Sequence, residues 1–164
     1  MTNFEAKEIL KNSDSLEEKS NALSYLIENE PIGNELISLS VDCLKLNDLR
    51  LNDLSSRFLS NIDKEYKILA AEMISELITS NQIEIRNLAG DILVTIGEAS
   101  GYAIIKYLKN EDAQIRQYAA EMSGRFGNTE ISHHLYELIN DNDINICSSS
   151  IESLGSLKDL NSVS

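Results

Sequence analysis

Residues 111–127 read EDAQIRQYAAEMSGRFG, and 30 residues earlier, at 81–97, the chain reads NQIEIRNLAGDILVTIG. Ile85 returns as Ile115, Arg86 as Arg116, Ala89 as Ala119 and Gly97 as Gly127. Glu84/Gln114, Ile92/Met122 and Ile96/Phe126 keep their polar or apolar character. A pattern that returns at this period marks a stacked architecture, in which each unit buries its apolar face against the next.

Further copies follow in both directions. Downstream, NDINICSSSIESLGSLKD puts Ile146 in the place of Ile115, Ser150 in that of Ala119 and Gly155 in that of Gly124, but Cys147 replaces Arg116. Upstream, LRLNDLSSRFLSNID aligns Leu51 with Ile85, Leu54 with Leu88, Ser55 with Ala89, Phe58 with Ile92 and Ile62 with Ile96. A fainter copy, EEKSNALSYLIENE, contributes Ala22 and Leu26. Between the copies lie second apolar segments at helical spacing: Leu36, Leu39, Cys43 and Leu46; Leu69, Met73 and Leu77; Ile104, Ile105 and Leu108; Ile131, Leu135 and Leu138. Each unit therefore reads as a helical hairpin.

The spacing predicts nine or ten helices: a short helix over 2–11, then units at 14–47, 48–80, 81–110, 111–141 and a partial one at 142–164, all in one domain. The last unit lacks a second helix, which leaves Ile151 and Leu154 or Leu157 with little cover; the expectation is that either the natural chain continues or this carboxyl-terminal end meets a partner, self-association included. Asp14 with Glu17, Asp112 and Asp143 stand where an N-cap oxygen is wanted. Second helices are expected to begin at Pro31, Asp63, Ser100 and Thr129, the one after Asp63 running over about 64–79. Ser55, Ala89, Ala119 and Ser150 share one mid-helix position, where a small side chain lets a neighbouring helix approach. Gly97 and Gly127 are expected to end their helices in the left-handed conformation.

A polar pair, Ile-Arg, a small residue three positions on and a Gly-ended helix resemble HEAT repeats, closest to the short phycobilisome-lyase-like variety. Residues 111–130 fit that pattern nearly throughout, 81–100 fit well, the copy at 142 lacks the Arg, and the two amino-terminal copies are longer and divergent. The resemblance implies an all-α, right-handed α-solenoid of about five hairpins whose second helices line a concave side where partners bind. It also implies that Asp112 and Arg116 bond between successive turns, making Arg116 and Arg86 structural. Two other functions come with the resemblance: a bilin lyase-like subunit, and a DNA glycosylase built on HEAT-like repeats.

Charge narrows these. Against 27 Asp and Glu stand 14 Lys and Arg, a net charge of −13 spread as −7 over residues 1–80 and −6 over 81–164. Such a field repels a phosphate backbone, and no run of Lys or Arg offsets it, so nucleic acid is not an expected partner. The absence of Trp further disfavours a glycosylase, which needs a basic face and aromatics around an extruded base. The bilin reading has no residue to which a chromophore role attaches. No apolar run reaches the ~20 residues of a membrane span, and MTNFEAKEILKNSD lacks the basic start and apolar run of a signal peptide, so a cytoplasmic protein is expected.

No catalytic constellation is visible. The glycines form neither G-x-G-x-x-G nor G-x-x-x-x-G-K. Cys43 and Cys147 stand far apart and read as small hydrophobes. His133 and His134 are adjacent on a helix, where side chains diverge by about 100°, so no metal site is expected from them. Neither catalytic residues, cofactor nor metal are assigned. The polar faces of the second helices remain: Glu35 and Asp42; Glu65, Glu72 and Glu76; Tyr102 and Lys106; His133 and Glu137. This ridge is expected to bind a basic protein or peptide, making the chain a non-enzymatic scaffold or adaptor.

Overall fold

The computed structural model describes the backbone of residues 1–161 and the side chains of residues 1–157. Within them the chain forms ten α-helices and no strand: α1 (Asn3–Asn12), α2 (Leu16–Asn29), α3 (Asn34–Leu44), α4 (Leu49–Ser60), α5 (Lys67–Ser75), α6 (Ile83–Ile96), α7 (Glu98–Ile104), α8 (Ala113–Ser123), α9 (Ser132–Leu138) and α10 (Ile144–Asn161). Consecutive helices pack against each other in α1/α2, α3/α4, α5/α6 and α9/α10, with lighter contact in α2/α3 and α6/α7; α8 packs on the 3-10 turn after α7 and on α10. First helices form one layer, with α2 on α4, α4 on α6 and α8 on α10. Second helices form the other, with α3 on α5 and α5 on α7. The result is an all-α solenoid.

The repeated small residue works as expected. Ser55, Ala89, Ala119 and Ser150 are fully buried, and Ser150 donates its hydroxyl proton to Ile146 O at 2.8 Å, so its burial leaves no donor idle. Approach is close between α8 and α10. A Cβ on Gly124 would lie 2.8 Å from Ser153 Cα, and Ser153 Oγ donates across to Ala120 O at 2.6 Å. This junction also buries Leu154 and Leu157, while Ile151 stays exposed.

Several element boundaries differ from expectation, each for a local reason. Ser15 rather than Asp14 caps α2, accepting from Glu18 N–H at 3.3 Å, and Thr2 forms a full capping box with Glu5 at the start of α1. Pro31 precedes α3 by a turn instead of opening it; Gly33 holds the cap position. Ser100 lies inside α7, buried, donating to Leu93 O at 2.6 Å, and Asn128 rather than Thr129 caps the turn before α9. Gly97 ends α6 with φ 83°, but α8 stops at Ser123, and Gly127 (φ 72°) serves the turn beyond.

The helix expected over 64–79 is three segments: a 3-10 turn (Lys64–Tyr66), α5, and a 3-10 turn (Glu76–Thr79). α7 likewise tightens into 3-10 at Ile105–Lys109. Tightening lets carbonyls of a short helix find partners three residues on: Ser80 N–H reaches Leu77 O at 3.0 Å and Asn110 N–H reaches Tyr107 O at 3.1 Å.

A candidate partner-binding surface

The buried residues Leu44, Ile78 and Leu108 occupy equivalent places in the second-helix layer, at steps of 34 and 30 residues. Counting back from them sets two rows on the outer face: Ser38, Glu72, Tyr102 in one and Asp42, Glu76, Lys106 in the other. A further step of 31 adds His133 to the first and Glu137 to the second. Seven of the nine residues expected along the ridge fall in these rows, Glu35 and Glu65 lie outside them, and the members do not act alike.

Half of its carboxylates already have cations. Glu35 is held by Lys7 at 2.8 Å and Lys11 at 3.6 Å, Asp42 by Lys45 at 2.6 Å, and Glu137 by Lys109 at 3.0 Å. Lys7 holds the Glu35 carboxyl below the usual carboxylate range, and Lys109 does the same for Glu137. Glu65 sits on the 3-10 turn before α5, exposed and away from the grooves described next. Glu72 and Glu76 remain: both are exposed, with no ion pair among the described residues.

Between α5 and α7 these two acids, with Met73, Tyr102 and Lys106, line a groove of about 310 Å³. Tyr102 also borders a second groove of about 440 Å³, whose apolar wall is Ile68, Ile96 and Ala99 and whose charged lining is Lys64, Lys67 and Glu98. Lys67 Nζ donates to Ile96 O at 3.3 Å, satisfying a carbonyl at the end of α6. The phenol of Tyr102 is raised by hydrogen bonding to the Glu130 carboxylate. Tyr102 thus divides an acidic cleft from an apolar one with two lysines and Glu98 in its lining. Ile68, Lys64 and Lys67 were missed because the search for a ridge followed acidic residues; the readable signal was Ile68, a large aliphatic on the polar face of α5, more than half exposed.

At the far end of the rows the two histidines lie beside a carboxylate. Ligand atoms of His133, His134 and Glu137 all lie within 4.8 Å of one another, and the two imidazole centroids are 4.9 Å apart. Adjacent Cβ atoms diverge on a helix, but imidazoles are long enough to turn back toward a common point.

Arg116 is structural, but its acidic partner is Asp141 rather than Asp112: Nε and Nη2 donate to the carboxylate at 3.0 and 3.2 Å, and Nη1 reaches Asn110 O and Glu111 O at 2.7 and 2.9 Å. Asp112 caps α8 instead. Arg86 has no such clamp; its guanidinium lies 5.9 Å from the ring centroid of Tyr118, whose hydroxyl donates to Arg86 O at 3.1 Å. Cys43 is buried, and burial pushes its thiol up to about 11. Cys147 is half-buried, donating to Asp141 O at 3.2 Å. The first-helix face has a groove of its own, about 410 Å³, lined by Asp91, Tyr118, Glu121 and Arg125. Among the described residues no helix is long and apolar enough to cross a membrane.

No family model matches the chain, and no curated protein matches it. Among solved structures it is similar to two engineered proteins, at 18% and 19% identity with TM-scores of 0.44 and 0.45, each match covering 94% of this chain and 80% of the other. It is also similar to a designed armadillo repeat protein in complex with a (KR)4 peptide, at 15% identity and a TM-score of 0.44, covering 93% of this chain and 80% of that one. The chain is a helical repeat protein.

Proposed function

We propose that this chain is a non-enzymatic, cytoplasmic scaffold of HEAT-like repeats that binds a basic protein segment along its second-helix face. The observation that carries the reading is the groove around Tyr102: its two acids, Glu72 and Glu76, are exposed and unpaired in a body of charge −13. Unpaired carboxylates beside an aromatic face suit Lys or Arg side chains, which gain Coulomb attraction and ring contact together. The neighbouring cleft suits an aliphatic side chain against Ile68 and Ile96, with an acidic group or chain terminus near Lys64 and Lys67. The favoured ligand is therefore a segment with basic residues at one end and an apolar anchor at the other.

Binding of a fluorescent Lys/Arg-rich octapeptide, followed by anisotropy at several salt concentrations, tests this. Glu72→Lys with Glu76→Lys should lower the association rate and flatten the salt dependence while leaving the helical spectrum intact. Glu84→Lys on α6 is the control, and a better one than Asp91, which lines the groove on the first-helix face. An acidic natural partner recovered by pull-down, or a larger loss from Glu84→Lys than from the double reversal, would overturn the reading.

A further inference from the structure

The end of the second-helix face carries a feature that peptide binding does not use. His133 and His134 stand in the first turn of α9 and Glu137 one turn later, and one ligand atom from each falls within a 4.8 Å cluster. The nearest measured pair, His133 Nε2 and Glu137 Oε1, is 3.8 Å apart. Donors around a tetrahedral ion with bonds near 2.0–2.1 Å are separated by roughly 3.3 Å, so the His133–Glu137 pair is close to that spacing and the set as a whole has to tighten around an ion. His133 and Glu137 are exposed, and Glu137 must turn while its other oxygen stays on Lys109.

Two further observations bear on the site. Nδ1 of His134 is out of solvent and has no hydrogen-bond partner, so no bond at that atom fixes the ring's tautomer; a bound cation would. Lys109 holds Glu137 through Oε2, which leaves Oε1, the oxygen facing His133, unshared by that lysine. The Lys109 contact orients the carboxylate much as outer-shell partners orient ligands in metal sites.

We propose that His133, His134 and Glu137 form a binding site for a divalent transition-metal ion of the zinc class, with solvent completing the coordination. Two imidazoles and one carboxylate are borderline donors, which suit Zn²⁺, Ni²⁺ or Cu²⁺ and disfavour Mg²⁺ or Ca²⁺, whose preferred ligands are all oxygen. The site lies at the end of the two rows of the partner face.

Isothermal titration of metal-free protein with zinc chloride decides the matter, since it involves no peptide and is independent of the partner reading. The expected result is one Zn²⁺ per chain, weakened at least about tenfold by each of His133→Asn, His134→Asn and Glu137→Gln and unchanged by Cys147→Ser. Magnesium chloride should give no heat of site binding. Because His134 is partly buried and its replacement can disturb α9, the exposed pair His133→Asn and Glu137→Gln decides if His134→Asn loses helicity by circular dichroism. No zinc uptake, uptake unaltered in both exposed variants, or loss of uptake in Cys147→Ser would overturn the proposal.

Discussion

Arg86 and Arg116 occupy the same place in two neighbouring repeats and meet different fates. Arg116 grips Asp141 with two nitrogens and two backbone carbonyls with a third. Arg86 rests beside an aromatic ring with no acidic partner among the described residues. The cause lies one loop onward. Asp141 and Asn110 are equivalent residues, each accepting from the backbone N–H two positions later, from Asp143 at 3.0 Å and Asp112 at 2.9 Å. The turn needs only a side-chain oxygen, which both supply; the ion pair needs a charge, which only Asp141 supplies. In the third copy Cys147 stands at the arginine position and its thiol donates to Asp141 O, the place where Arg116 meets Asn110 O. The carbonyl contact is thus common to the last two copies, and the ion pair belongs to one.

The largest expected effect breaks the stronger clamp. Arg116→Ala should cost about 3 kcal/mol in urea denaturation, because it strands the mostly buried Asp141 carboxylate and leaves two carbonyls short of a donor. Arg86→Ala should cost under about 1 kcal/mol, the scale of an aromatic–cation contact. Equal losses would erase the distinction between the two positions.

Next come the positions where the two repeats should behave alike. Ala89→Leu and Ala119→Leu each push a side chain into a fully buried helix contact and should each cost ~1–3 kcal/mol, against a small change for Tyr102→Ala on the outer face. Thermal melts that leave either leucine variant as stable as the parent would show that the stack does not depend on this row.

A smaller effect would transfer the clamp. Asn110→Asp should keep the turn, since either side chain accepts from Asp112 N–H, and should give Arg86 a carboxylate, with a gain of about 0.5 kcal/mol at low salt that fades as salt is added. A loss of stability would show that Arg86 cannot turn from Tyr118 to reach it.

The smallest effect is a pH dependence. Arg116 hydrogen bonding holds the Asp141 carboxyl below its ordinary range, so its stabilisation is present above the unfolded value of about 3.9 and is lost as pH falls through the lower folded value. The stability gap between the parent and Arg116→Ala should accordingly narrow from pH 6 to pH 2.5. A gap constant over that range would assign the loss to packing alone.

The hairpin plan, the small-residue row and the glycine at 97 were legible because they answer to local rules: period, side-chain volume and the backbone freedom of one residue. Helix ends were less so. Ser15 and Asp14 are chemically equivalent capping candidates one residue apart, and only the packing of α1 on α2 chose between them, with Lys19 Nζ donating to Leu10 O across that junction.

The candidate surface divides in the same way. Sequence alone could place Glu35, Asp42, Glu72, Glu76 and Glu137 on second helices, because that depends on spacing. Lys45, three residues from Asp42, was within reach of spacing, but Lys7 and Lys109, which neutralise Glu35 and Glu137, arrive from other segments at separations set by how the helices stack. Nor could spacing bring His133, His134 and Glu137 to one point, since rotamers are chosen by neighbours rather than by the helical period. Periodicity determined the solenoid, which is a property of each hairpin and its repeat; tertiary packing decided the ion pairs of Glu35 and Glu137, because their lysines lie far away in sequence and spacing describes only one partner of such a pair.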